Sequence, residues 1–342
     1  MHNTMDQLSA HLDRGWDLAQ RGDGPGALAC ARRALEIDPQ SPEVHNLLGF
    51  SSALAGEAEE AIEHYRQALA LDETYFEAMI NAAELLVFPL GDVEGAIAQL
   101  DDALEFAMNE DEISECLLLK AEAQLTQSDL EGAKKTLAAV PEAASQHEHL
   151  VFTLGRLHYE LGQLDCAAPL IQTAIEKQPH LADAHYYWGL ICDERGDISN
   201  ATQAFLKTRM YDLERPPPPW SPSPEQFSIM VRNVVERLDK VLAPFVREAE
   251  VYIIDVPGAE LVVDAVDPRT ELILDLPPEG KEPGRIDTAP TRNKVRIFIY
   301  QRNVELAAGS LEGIEDELAR ALEQEATQVL VEKKSPPTSV LN

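Results

Sequence analysis

The stretch Leu47-Leu48-Gly49-Phe50-Ser51-Ser52-Ala53-Leu54-Ala55-Gly56-Glu57-Ala58-Glu59-Glu60-Ala61-Ile62-Glu63-His64-Tyr65-Arg66-Gln67-Ala68 decides the fold. Small residues stand at Gly49, Gly56, Ala61 and Ala68, at offsets of 7, 12 and 19 from the first. Steps of 34 residues in either direction meet Gly15 and Ala83, and the series resumes at Ala121, Gly155 and Gly189. The second mark returns as Gly22, Gly162 and Gly196, with Ser128 in the fourth unit. The third returns as Ala27, Ala133, Ala167 and Ala201, and the fourth as Ala34 and Ala174. Pro39 and Pro179 close units. The third unit fits with one inserted residue around Phe88-Pro89-Leu90-Gly91, which moves its marks to Ala96 and Ala103. The link from the third unit to the fourth is four residues longer than the rest.

Small residues at fixed places let the two helices of a unit approach closely, and glycine tolerates the turn between them. Each unit has apolar faces that it cannot bury alone, so neighbours must stack. This pattern resembles the tetratricopeptide repeat (TPR) family over residues 8–213, in six units. The resemblance implies a mainly α protein whose first part is a superhelix of helix-turn-helix units. It also implies that the first helix of each unit faces a concave groove. That phase puts Trp16, Asn46, Phe50, Asn81, Phe152, Arg156, Tyr159 and Tyr186 on the partner-binding surface, with Ile80, Glu84, Leu118, Glu122, His149 and Asp193 beside them. TPR grooves that grip a C-terminal carboxylate use lysines together with asparagines. The Asn pair is present here and the lysines are absent, so a peptide segment with apolar anchors and basic residues suits the groove better. His147 with His149, and His180 with His185 near Asp183, are spaced i, i+2 and i, i+5. Such pairs share no helix face, so they read as surface histidines and not as metal ligands.

The chain has 342 residues and a net charge of −32. Residues 1–224 hold 38 acidic and 14 basic side chains, and residues 225–342 hold 22 and 14. This charge speaks against nucleic-acid binding, which needs Lys and Arg to neutralise phosphates. No apolar run approaches the ~20 residues of a membrane span, so no membrane insertion is expected. The first residues lack a basic and apolar leader, and Cys30, Cys116, Cys166 and Cys192 are far apart. Reduced thiols and a cytoplasmic location are therefore expected.

Pro216-Pro217-Pro218-Pro219-Trp220-Ser221-Pro222-Ser223-Pro224 holds six prolines in nine residues and reads as an extended linker over 214–224. Beyond it, Phe227, Met230, Val231, Val234, Val235, Leu238, Val241 and Leu242 recur at helical spacing. Strands are expected at 250–256, 272–276 and 294–300, an exposed loop at 277–293, a helix at about 311–330, and a disordered tail from 335 to 342.

Three strings carry a second likeness. They are Asp255-Val256-Pro257-Gly258-Ala259-Glu260-Leu261 with Asp267-Pro268-Arg269, then Arg296-Ile297-Phe298-Ile299-Tyr300-Gln301-Arg302-Asn303, and lastly Gln324-Glu325-Ala326-Thr327-Gln328. Over 225–334 they resemble the small bacterial zincin-like metallopeptidase domain, an α+β fold. The resemblance implies a His-Glu-x-x-His helix, and here the two histidines are replaced by Gln324 and Gln328 while Glu325 is kept. The implied family glycine falls on Val331, and the implied acidic third ligand on Lys334. No histidine follows His185 and no cysteine follows Cys192. Amides are poor zinc ligands, and without a metal no water is acidified. The expectation is a pseudoenzyme domain with no cofactor, no metal and no catalytic residue, in a scaffold protein whose groove binds a partner. The alternative is a residual metallopeptidase-type hydrolase. Glu325 falls on the apolar stripe of its helix, where it reads either as a remnant of a catalytic base or as an ordinary boundary residue reaching solvent or a strand-end donor.

Overall fold

The structure, a computed structural model, describes residues 2–237, 249–276 and 294–334. The expected helical positions Leu238, Val241 and Leu242, the loop at 277–293 and the tail at 335–342 lie outside the described residues. The chain forms two compact units, Met1–Pro179 and His180–Asn342.

The first unit is a run of helical hairpins: α1 (His2–Gln20) with α2 (Gly24–Ile37), α3 (Pro42–Leu54) with α4 (Ala58–Leu71), α5 (Phe76–Val87) with α6 (Val93–Phe106), α7 (Glu110–Thr126) with α8 (Leu130–Leu137), and α9 (Val151–Glu160) with α10 (Leu164–Lys177). A short 3-10 turn, Glu142–Gln146, precedes α9. The turn inside each hairpin explains the second mark of the repeat. Gly22, Gly56 and Gly162 have φ of 76°, 81° and 72°. In the first hairpin Gly22 N–H donates to Ala19 O and Asp23 N–H to Leu18 O, both at 2.9 Å, which closes the end of α1. Asp23 then accepts from Gly26 N at 2.9 Å and caps the start of α2. Asp92 and Asp129 repeat this cap on Gly95 N at 3.0 Å and Gly132 N at 2.9 Å. In the fourth unit Ser128 takes the same left-handed turn with φ 62°.

The first mark is a point of helix contact. A Cβ added to Gly49 would lie 2.6 Å from the Tyr65 ring, and one on Gly155 would lie 2.9 Å from Ile171. Tyr65 is 1% exposed, so its ring fills the space that Gly49 leaves. Ala61 and Ala68 sit in the same cluster of buried side chains. The first helices of successive hairpins also touch: α1 with α3, α3 with α5, α5 with α7, and α7 with α9. These helices therefore share one side of the stack, as the repeat phase requires.

The second unit begins with a sixth hairpin, α11 (Ala182–Glu194) and α12 (Ile198–Glu214), built by the same rules. Gly196 turns with φ 75°, and a Cβ on Gly189 would run into the Phe205 ring. Then come α13 (Pro224–Arg237), β1 (Glu250–Ile254), α14 (Ala259–Val263), β2 (Leu272–Asp275), β3 (Arg296–Tyr300), α15 (Gln301–Ala308) and α16 (Ile314–Lys334). The sheet order is β1-β3-β2, with β1 parallel and β2 antiparallel to the central β3. Ile297 and Ile299 of β3 are buried with Leu272 and Leu274 of β2, Phe227 and Val231 of α13, and Ile314, Leu318 and Leu322 of α16. The three strands and the last helix match the sequence reading. The short helices α14 and α15 have no counterpart in the sequence reading.

The histidines differ too. His185 is buried, 3% exposed, with its ring 5.3 Å from that of Tyr211, and His180 meets the same ring edge-on at 5.1 Å. Helix packing, and not surface placement, therefore accounts for His185.

Two substitutions test the hairpin geometry. Ser128→Gly removes the Cβ strain of a left-handed residue and is expected to stabilise the chain by about 1 kcal/mol. Gly49→Ala pushes into Tyr65 and is expected to cost about 1–3 kcal/mol. Urea denaturation followed by circular dichroism reads both, and an unchanged midpoint for either would contradict the packing described.

Candidate functional surfaces

The residues expected in the groove fall into three groups. Trp16 and Phe50, one on α1 and one on α3, meet with ring centroids 5.3 Å apart and remain half-buried. They occupy the same place in successive hairpins, directly after Gly15 and Gly49. Further along that same register stand Glu84 on α5, Glu122 on α7 and Arg156 on α9. Arg156 donates to Glu122 at 2.6 Å and to Glu160 at 3.1 Å. Phe152 and Tyr159 are half-buried on α9.

Asn46 is different. It is 2% exposed, donates to Tyr75 Oη at 3.3 Å and accepts from Asn81 Nδ2 at 3.1 Å. This chain of polar groups ties α3 to α5, so Asn46 is a link between hairpins and is not open to a partner. Ile80 and Leu118 are buried as well, 7% and 3% exposed. His149 lies in the turn before α9.

Carboxylates gather where α5 meets α7. Glu84 is held above the usual carboxylate range by burial and by Glu122. Glu115 is raised by burial and by Glu84, Glu77 and Glu112, with His147 acting in the opposite sense. Glu115 was not singled out by the sequence reading, although Glu43, Glu77 and Glu115 all stand six places before a small mark.

Tyr186 belongs to the second unit and is engaged there. Its Oη donates to Asp267 Oδ2 at 2.8 Å, and the Arg269 guanidinium sits 4.7 Å from its ring centre. Arg269 also donates from Nε to Asp212 Oδ2 at 2.9 Å and lies 2.7 Å from Asp183. Its side chain is only 14% exposed, and its charge is strengthened by both carboxylates against the cost of burial. The Asp267-Pro268-Arg269 string thus grips the first helix of the last hairpin. Beside it, Arg209 Nε donates to Pro257 O at 2.5 Å.

A cleft of about 300 Å³ opens next to this clamp, lined in part by Tyr186, Glu271, Arg320, Gln324 and Glu325. Glu325 Oε1 accepts from Leu274 N at 3.4 Å, at the outer edge of β2. Gln324 Oε1 accepts from Arg320 Nη1 at 2.8 Å. Gln328, Val331 and Lys334 are described only as helix backbone. These groups do not fit a zinc ion: the amide oxygen at Gln324 already faces a guanidinium, and the Glu325 carboxylate is turned to a strand N–H. Among the described residues no group of three His, Cys, Asp or Glu could hold a metal.

Arg320 also bridges Glu271, at 2.7 and 2.9 Å, and Glu317. Burial first, and then Glu317, push Glu271 up to about 7, while Arg320 acts against them. Glu317 is lowered, chiefly by its hydrogen bond to Arg320. For Glu271 the folded-state value lies above the unfolded one. Its contribution to stability is therefore present below the ordinary carboxylate range and is lost as pH rises through about 7. Glu271→Gln is expected to flatten the fall in thermal midpoint between acid and neutral pH, and a parallel pH profile in the variant would contradict this.

Comparisons with known proteins bear on the helical part. A model of the tetratricopeptide repeat family matches residues 12–76 and 152–212. The chain carries tetratricopeptide repeats in these stretches, and the match does not extend into the three-stranded part. The probable biofilm formation methyltransferase WspC of Pseudomonas putida is 36% identical over 95 residues, which is 28% of this chain and 22% of that protein. The chain thus spans about a fifth of that relative's length. Among solved structures, PilF of Pseudomonas aeruginosa aligns with a TM-score of 0.51 at 19% identity, over 62% of this chain and 100% of that one. PilW, described as a widely conserved type IV pilus biogenesis factor, aligns with a TM-score of 0.50 at 19% identity, over 60% and 91%. At these identities the likeness shows the fold alone. No helix among the described residues is long and apolar enough to cross a membrane.

Proposed function

We propose that this chain is a cytoplasmic interaction protein whose first-helix face binds a segment of a partner protein. In this reading the three-stranded part is a zincin-like domain that has lost peptidase chemistry and serves as a second docking module. The repeats span 8–213, the linker 214–224 and the zincin-like domain 225–334. The observation that carries the reading is the Trp16–Phe50 pair, two large aromatic rings in contact and half-exposed on adjacent first helices. Aromatic side chains of this kind supply most of the affinity where a segment is bound. The repeat architecture adds to the argument, since stacked hairpins present a long continuous surface. Supporting a non-catalytic second domain, Gln324 and Glu325 are engaged by Arg320 and by the β2 backbone.

The test is affinity capture on the full chain, followed by titration of the recovered partner. Phe50→Ala with Phe152→Ala is expected to weaken that complex by about tenfold or more, and Glu325→Gln to leave it unchanged. Loss of binding in the Glu325 variant alone would transfer the interaction to the second unit. Elemental analysis of the purified chain is expected to show no stoichiometric zinc. About one zinc per chain retained against a weak chelator would restore the hydrolase reading.

A further inference from the structure

The face shared by α5 and α7 is rich in acid. Glu77 and Glu84 come from α5, and Glu112, Glu115 and Glu122 from α7. Glu122 is paired with Arg156. The side chains of Glu84 and Glu115 make no ion pair or hydrogen bond among the described residues; burial and then Glu122 raise the proton affinity of Glu84, and burial and then Glu84 raise that of Glu115. The His147 ring faces Glu115 and lies 3.6 Å from Asp111. On the neighbouring helices of the same stack, α1 and α3, stands the open aromatic pair Trp16–Phe50.

We propose that this face docks an extended, basic segment of a partner protein. An arginine or lysine of the segment sits between Glu84 and Glu115, and an aromatic or aliphatic side chain rests on Trp16 and Phe50. This rests on the groove reading above and names the chemistry of its occupant. Charge complementarity selects the occupant: a cation between Glu84 and Glu115 relieves the repulsion that the fold leaves in place. The second unit forms the same recognition within the chain. There Arg269 is held by Asp183 and Asp212 with its guanidinium over Tyr186. Tyr186 stands three places before Gly189, on the first helix of its hairpin. An arginine gripped by two carboxylates beside an aromatic ring is thus an arrangement that one hairpin of this repeat already makes, with Asp183 and Tyr186 on its first helix and Asp212 on its second.

The spacing follows from helix packing. Neighbouring helix axes lie about 8–10 Å apart, so the step from the aromatic pair to the acid pair is about 20 Å. An extended chain covers that in about six residues.

The test uses the full chain and fluorescein-labelled peptides on a glycine-serine background. One peptide carries a tryptophan and an arginine about six residues apart, made in both chain directions. A second replaces the arginine by glutamate and a third replaces the tryptophan by serine. Fluorescence anisotropy is expected to show the Trp/Arg peptide binding about tenfold tighter than its Trp/Glu counterpart, with the preference shrinking as salt is raised. Glu84→Gln with Glu115→Gln is expected to abolish that preference while leaving the helical circular dichroism intact. Equal affinity for the Trp/Arg and Trp/Glu peptides would overturn the basic-segment inference and leave the groove reading standing. A preference that survives in the double variant would overturn the assignment to Glu84 and Glu115. Failure of every tryptophan-containing peptide to bind, or binding indifferent to Phe50→Ala, would bring down the groove reading and this inference with it.

Discussion

The contact between Gly49 and the Tyr65 ring, repeated as Gly155 on Ile171 and Gly189 on Phe205, sets the distance between the two helices of a hairpin. A large side chain on the second helix fits only because the first helix offers none. That distance fixes where the first helix lies relative to its neighbours, and so which side chains line its free side. Trp16, Phe50, Glu84, Glu122 and Arg156 form a register because each directly follows a small residue held against a partner helix. Binding surface and hairpin packing are read from adjacent positions of one helix. A change at the packing position displaces the recognition position beside it.

Much of this was legible in the sequence because it rests on local rules. A 34-residue period, a glycine at the turn and an aspartate after it specify a hairpin whatever surrounds it. Even the exception at Ser128 was visible as a departure, and the structure shows a serine adopting the conformation that glycine supplies elsewhere. The alternation in Arg296–Tyr300 likewise gave a half-buried strand, because period two has one meaning in a sheet. Non-local features were not legible. Repeat phase put Asn46 on the open face, but its amide turns inward to Tyr75 and Asn81 from the next hairpin. Tyr186 was placed by the same phase, and only the tertiary structure shows Asp267 and Arg269 reaching it.

The proline run illustrates the same limit. Six prolines in nine residues prescribe an extended backbone and rule out a helix. They say nothing of what that backbone touches. Ser221 donates to the buried Glu305 at 2.7 Å, Gln301 donates to Pro222 O at 3.1 Å, and Trp220 packs on the core of the three-stranded part. A segment that composition reads as a spacer runs along α15 as a fitted strap. The strings near Asp267 and Asn303 hold the structure together here: Asn303 donates to Pro268 O at 2.9 Å and to Thr270 O at 2.7 Å, holding the turn from which Arg269 projects.

That clamp bears on how such an array can lengthen over evolutionary time. A stack of like hairpins grows by duplication, and most junctions in it are interchangeable. The outer side of α12 is not, because Arg209 and Asp212 are committed to Pro257 and Arg269. A hairpin inserted after α12 would meet side chains already matched to another fold. Descendants of this chain should therefore vary in repeat number ahead of the sixth hairpin, and inherit that hairpin and the three-stranded part as one piece.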